Sequence, residues 1–294
     1  MTWMFHLEAA LVRIALATCR ALSPVHASNL GGWLTRIVGP LLPVSRVADD
    51  NLARAMPELD ASARRRIVRG AWDNLGRTMG EFPHVAGLQR TVTGPGWELV
   101  GEETLRAQVQ RGGPLIFFSG HIGNWELLPV AAAAQGLPVA GVYRAATNPA
   151  VDAIIMKLRQ PEAGTAVPMF PKGATGARRA LQHLAKGGAL AVLMDQKMND
   201  GVAASFFGLP AMTASAPAAM ALRLRCPIIP AYVQRVGPAR FRLVCEPPLE
   251  LPDSGDRQAD ILAVTQAVND HLERWIRAGP ESWLWMHRRW PKES

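Results

Sequence analysis

The segment SGHIGNWELLP (119–129) sets His121 and Glu126 five residues apart, just after the apolar run PLIFFS (114–119). A neutral imidazole can take a proton from an attacking hydroxyl. Gly120 and Gly123 let the chain bend tightly around His121. Glu126 falls in the first turn of the helix predicted to follow, where free N–H groups favour an anion. An isolated H-x4-E also fits a loop histidine satisfied by backbone and a carboxylate that merely favours the helix dipole. What singles this one out is its place after a buried strand, because open α/β sheets take ligands at the carboxyl ends of their strands. Asp195 follows a second buried run, ALAVLM (189–194), with Gln196 beside it. It can orient the imidazole as a triad acid does, or cap a turn. Either Glu126 or Asp195 can be the acid paired with His121. Arg144 ends the strand after the motif helix, a place from which it can hold a phosphate or an oxyanion.

The elements that must position these residues read as alternating strands and helices from about residue 112. Strands are predicted at 114–119, 138–143, near 165–169, at 189–194, and at PIIPAYVQR and RFRLVCE. Helices are predicted at about 124–135, 148–160, 174–186, 213–225 and 257–277, with a loop over 195–212. The pattern predicts an α/β fold: one domain with a mostly parallel central sheet flanked by helices. Residues 1–90 read as helical. Asp60 is placed to cap a helix in which Ile67, Ala71, Leu75 and Met79 recur at about four-residue spacing. Arg64, Arg65, Arg66 and Arg69 form its solvated face.

Composition excludes several classes. Apolar residues are 49% and charged residues 19% of the 294, which rules out a disordered chain. Lys plus Arg is 32 against 24 Asp plus Glu, a net +8, and a surface of this sign suits phosphate, anionic lipid or an acidic protein. The three cysteines, 19, 226 and 245, lie far apart outside any CxxC, against a disulfide framework or a zinc site. No G-x-S-x-G elbow, phosphate loop or H-E-x-x-H is present, and GPGWEL (94–99) lacks the third glycine of a dinucleotide fingerprint. The first 22 residues are apolar but carry His6, Glu8, Arg13 and Arg20, more charge than a spanning helix tolerates. They fit a helix lying in a headgroup layer or an ordinary core-facing helix. Division is expected between an N-terminal membrane-associated helical region, 1–45, and a domain over 46–294.

Beyond the short motif, the chain resembles the bacterial lipid A late acyltransferases, within the glycerolipid acyltransferase superfamily. The likeness is carried by RVADDNLARAMPEL (46–59), NLGRTMGEF (74–82), SGHIGNWELLP, GVYRAATNP (141–149), the stretch LMDQKMNDGVAASFFGLPAMTASAPAAMALR (193–223) and WLWMHRRW (283–290), all in consistent order. The resemblance implies transfer of a fatty acyl chain from an acyl carrier protein thioester to a hydroxyl of a membrane lipid, a lipid A precursor or related glycolipid. It implies His121 as base, with Glu126 and Asp195 as its candidate acid partners. Arg144, Asn124, Gln196 and Arg288 are the candidate substrate contacts. No metal, cofactor or nucleic acid enters; the acyl carrier protein thioester is a co-substrate. The implied place is the cytoplasmic face of the bacterial inner membrane. The basic strip Arg223, Arg225, Arg235, Arg240 and Arg242 suits an acidic carrier protein. FFG (206–208) can line an acyl channel, lie against lipid, or be plain core. Other lipid acceptors, water as acceptor, or a lipid-binding role without catalysis are the rival readings.

Overall fold

The structure is a computed structural model that describes residues 2–137, 139–159 and 167–291. Its strands are β1 (Gly96–Val100), β2 (Leu115–Ser119), β3 (Val139–Tyr143), β4 (Met169–Pro171), β5 (Ala189–Leu193), β6 (Val202–Phe206), β7 (Leu209–Thr213), β8 (Ile228–Gly237) and β9 (Arg240–Cys245). The α-helices are α1 (Thr2–Ala21), α2 (Pro24–Val38), α3 (Val44–Ala55), α4 (Ala61–Glu81), α5 (Glu102–Arg111), α6 (Leu127–Ala134), α7 (Pro149–Leu158), α8 (Ala174–Ala185), α9 (Ala216–Leu224) and α10 (Arg257–Ala278).

Seven strands form one sheet in the order β1-β9-β8-β2-β5-β3-β4. All neighbours are parallel except β8 and β9, which form an antiparallel hairpin. The expected α/β fold with a mostly parallel sheet is what the chain adopts. The central strand β2 is buried at every position, the mark of a strand covered on both faces. One face packs Ile116, Phe118, Leu190 and Val192 against Ile261, Val264, Val268 and Leu272 of α10 and against Trp283 and Trp285. Phe117, Leu115 and Ala189 fill the other.

Two expectations are corrected. The stretch 195–212 is not simply a loop, because it contains the two-stranded antiparallel hairpin β6–β7. Its turn is Phe207–Gly208, both at positive φ (54° and 72°), the conformation that lets a two-residue turn match strand twist. Phe at such a position hides the turn from a reader expecting Asn-Gly. The hairpin edge is satisfied by α10: Gln266 Oε1 accepts from Ser205 N (2.7 Å), and Asn269 Nδ2 donates to Ser205 O (2.9 Å). The second correction is β1, which GPGWEL concealed and which joins the sheet edge beside β9. The strand expected near 165–169 runs over Met169–Pro171, and 160–166 lie outside the described residues.

The N-terminal helices pack against the rest of the molecule. Among the described residues no helix is long and apolar enough to cross a membrane. Helix α1 is tied to α7 through Asn148, whose amide donates to Phe5 O (2.8 Å) and to Glu8 Oε2 (3.0 Å). Helix α2 lies against α4 at very close range through glycines: a Cβ on Gly76 would collide with Gly31 O and Thr35 Oγ1. Asp60 caps α4 as expected, accepting from Ala63 N at 2.7 Å.

Gly76→Ala is therefore expected to force α2 off α4 and lower stability by about 1–3 kcal/mol. Thermal unfolding of the variant checks this; an unchanged midpoint would show that the two backbones have room to part.

Candidate active site

The register of β2 with β5 builds the centre. Ser119 is paired with Leu193, and Met194 N donates to Ser119 O (2.9 Å), so the ladder continues one residue past the end of β5. His121 and Asp195 each lie two residues beyond that pair and face each other. Nδ1 of His121 is 2.8 Å from Oδ1 of Asp195, and the His121 backbone N–H donates to Oδ2 (2.9 Å). Asp195 is fully buried, whereas His121 keeps some exposure on the cavity side. Burial alone would drive the Asp195 carboxyl towards its neutral form. The His121 charge and hydrogen bonds, with His287 nearby, overcome this and hold it well below the usual carboxylate range. An ionised carboxylate only accepts, so Nδ1 carries the imidazole proton and Nε2 of the neutral ring is left as the basic nitrogen. Burial also works against imidazolium at His121. The Asp195 charge and bond, helped by Glu126 and opposed by Arg159, outweigh it and raise the pKa above the ordinary value.

Glu126 is not the hydrogen-bond partner of the imidazole. It precedes the first residue of α6, and its two oxygens take a bidentate clamp from Arg159 (Nε to Oε2 2.8 Å; an Nη to Oε1 2.6 Å). Trp125 donates to Oε1 at 3.2 Å and lays its ring edge-on to His121, with centroids 5.0 Å apart. Arg159 is a participant that the sequence reading missed. It sits at the end of a predicted helix, 33 residues from Glu126, and no spacing rule links the two.

His121, Trp125, Glu126 and Arg159 line a cavity of about 720 Å³. Its walls are mainly apolar, among them Phe117, Leu128, Val139, Ala191, Met220 and Leu243. Arg144 and Gln196, two of the candidate substrate contacts, also line it, as does Lys172 just after β4. The lining thus combines an apolar majority with a histidine, a carboxylate and several cations, a set of groups that suits a molecule with an apolar chain and a polar head.

The other two candidates lie elsewhere. Asn124 does not line this cavity; it is fully buried, and its amide donates to Glu81 Oε2 (2.8 Å). Arg288 is exposed and away from the cavity, whereas its neighbour Arg289 is buried, donating to Met212 O (2.8 Å) and Thr213 Oγ1 (2.7 Å) over the Phe206 ring. Burial pushes the Arg289 guanidinium down to about 10 even though Asp195 pulls it up. Phe206 is core, packed on Trp283 and Trp290. The expected basic strip is also broken up: Arg235 turns inward to Glu81 and Arg242 pairs with Glu98 (2.8 Å), while Arg223 and Arg225 stay exposed.

Behind the loop that carries His121 lies a buried polar network that the sequence did not announce. Glu81, fully buried at the end of α4, accepts from Ser28 (2.6 Å), Asn124 and Arg235. Thr78 and Asn74 of α4 both donate to Gly123 O (3.0 and 3.1 Å). Gly123 is at φ 60°, and a Cβ there would strike Val233 O, so only glycine lets the loop turn so close to β8. Helix α4 and strand β8 thereby fix the backbone two residues beyond His121.

A histidine–carboxylate pair on parallel strand ends, opening on an apolar cavity, is an arrangement suited to acyl transfer. The chain belongs to the bacterial lipid A biosynthesis acyltransferase family, whose model matches residues 2–292. The resemblance read from residues 46–290 is met by that match. Among solved structures the chain is similar to the 1-acyl-sn-glycerophosphate (LPA) acyltransferase of Thermotoga maritima, at 13% identity and a TM-score of 0.37, over 83% of this chain and 96% of that one. No curated protein matches it.

Arg235→Leu would leave Glu81 buried without its cation, and breaking such a pair costs about 3–5 kcal/mol. Chemical denaturation of the variant is the check. A loss under about 1 kcal/mol would mean that Ser28 and Asn124 suffice to satisfy the carboxylate.

Proposed function

We propose that the protein moves a fatty acyl chain from the thioester of an acyl carrier protein to a hydroxyl of a lipid A precursor or related glycolipid. The observation that carries this reading is the His121–Asp195 pair, with His121 lining a large, mainly apolar cavity. In the proposed reaction the acyl chain lies in the cavity and places its carbonyl carbon near Nε2 of His121. The acceptor hydroxyl attacks that carbon while its proton passes to Nε2, and the carbonyl becomes an oxyanion. The tetrahedral intermediate collapses, the carbon–sulfur bond breaks, and the thiolate takes the proton back from the imidazolium. An ester and a free carrier thiol result, with atoms and charge balanced and no covalent enzyme intermediate.

Asp195 keeps Nε2 unprotonated and stabilises the imidazolium when it forms. Glu126, held by Arg159, adds a second negative charge to the imidazole's surroundings. Arg144 and Gln196 are the groups assigned to the oxyanion or to an acceptor phosphate. Neither a metal nor a cofactor enters these steps.

The reading places the protein against the cytoplasmic face of the bacterial inner membrane. In support, α1 exposes Trp3 (67%), Met4, Leu7, Leu11 and Ile14, and α2 with the turn after it exposes Trp33, Leu34, Ile37 and Leu41 (81%). Exposed apolar side chains of this size, aromatics included, suit a headgroup boundary. The remaining exposed cations, Arg223 and Arg225 among them, suit an acidic carrier protein.

The direct test incubates purified protein with acyl carrier proteins of several chain lengths and a bacterial lipid extract. A new acyl-lipid is expected, with His121→Ala reducing its rate by about 10²–10⁴-fold. Carrier thioester consumed without lipid product would favour water as acceptor and overturn the transfer reading. On the acid side, kcat/KM should rise with pH through a limb lying above the ordinary imidazole value, because His121 must be neutral to act and its pKa is raised. Asp195→Asn removes the neighbouring negative charge, so the limb should move to lower pH while kcat falls by about 10²–10⁴-fold. A limb that stays in place would dissociate the two groups.

Membrane contact has its own test. Trp33→Asp with Leu41→Asp is expected to lower co-sedimentation with anionic phospholipid vesicles by about tenfold or more. Undiminished binding would remove this face from the account.

A further inference from the structure

The segment after α10 returns to the catalytic centre. Gly123 N donates to Ser282 O (3.0 Å), Leu284 N donates to His121 O (3.1 Å), and Ile122 and Trp283 form an isolated antiparallel bridge. Residues 282–284 therefore run as a short extended strap along the loop that carries His121. The strap is itself pinned: Asn74 donates to Ser282 O (3.0 Å), and Asn51 donates to Trp285 O (2.9 Å) and His287 O (2.7 Å).

Trp283 is fully buried, and its indole Nε1–H donates to Asp195 Oδ2 at 2.7 Å. That oxygen also accepts the backbone N–H of His121, while Oδ1 accepts the imidazole. Three donors in fixed directions leave the carboxylate one orientation. Without the indole, Oδ2 would keep only the bond from the His121 backbone. The ring also packs edge-on to Trp285 (4.5 Å) and His287 (5.1 Å), so it cannot rotate away.

We infer that Trp283 is a positioning residue for the reaction, orienting Asp195 so that Nε2 of His121 meets the acceptor hydroxyl. The inference rests on the proposed role of His121 as base, and it gives the tryptophan-rich C-terminal end a part in catalysis. A donor to Oδ2 also draws negative charge away from the imidazole. Its removal should leave the carboxylate more basic and the imidazolium more favoured. The other charged or titratable groups around the pair are Glu126 and Arg159 on the cavity side and His287 and Arg289 on the strap side.

Trp283→Phe removes the N–H and keeps an aromatic ring. The expected result is a kcat lower by about tenfold with KM little changed, and an acid limb moved to higher pH, opposite to the shift of Asp195→Asn. In an Asp195→Asn background the same substitution should move the limb no further. A packing role would lower activity without moving the limb, and that result would overturn the inference. His121→Ala separates the two claims. If it abolishes transfer while Trp283→Phe behaves as wild type, the role of Trp283 fails and the base stands. If His121→Ala is fully active, the base itself fails. Should Trp283→Phe not fold, the ¹H–¹⁵N resonance of the Trp283 indole in the intact protein decides. It is expected to shift as His121 titrates, and an indole signal indifferent to that titration would contradict the inference.

Discussion

The site depends on one constraint, the in-register parallel pairing of β2 with β5. Because Ser119 opposes Leu193, the residues two places further on, His121 and Asp195, are brought within a hydrogen bond of each other. A slip of one residue along either strand would turn one of the two side chains to the opposite face. The register is protected by burial. Ile116 and Phe118 face one core and Leu115 and Phe117 the other, so sliding β2 would exchange the contents of two packed layers.

The rest of the molecule fixes the two strand ends. From one side, α4 and β8 hold the Gly123 carbonyl and the Asn124 amide through Thr78, Asn74 and the Glu81–Arg235 pair. From the other, the strap after α10 holds the backbone of His121 and the carboxylate of Asp195. The cavity side is left to Trp125 and the Glu126–Arg159 clamp. The imidazole is bonded at Nδ1 to Asp195, and His121 lines the apolar cavity.

Much of this was legible in the sequence, and the reasons for the remainder are physical. Apolar runs such as LIFFS and ALAVL announced buried strands by composition, and their carboxyl ends located His121 and Asp195. Which acid serves His121 could not be read, because Glu126 is five residues away along the chain and Asp195 seventy-four. Only the strand register makes the distant residue the nearer one. Arg159 and Glu81 were missed for the same reason, since their partners are set by tertiary packing. Asn124 was placed with the substrate by its neighbourhood in the motif, but a loop alternates direction, and this side chain turns inward to Glu81. The hairpin β6–β7 was missed because its turn is Phe-Gly, and β1 because its glycines drew attention to a nucleotide motif. The exposed apolar face of α1 was foreshadowed by a segment too charged to span, whereas that of α2 was not read from the sequence.

In the proposed reaction, Asp195 fixes the tautomer of His121 and so leaves Nε2 as the base. Nitrogen-15 NMR of labelled protein, taken at a pH above the histidine transition and assigned with His121→Ala, reads this directly. A protonated Nδ1 and an unprotonated Nε2 are expected for His121. The reverse, a proton resting on Nε2 with Nδ1 bare, would contradict this role of Asp195.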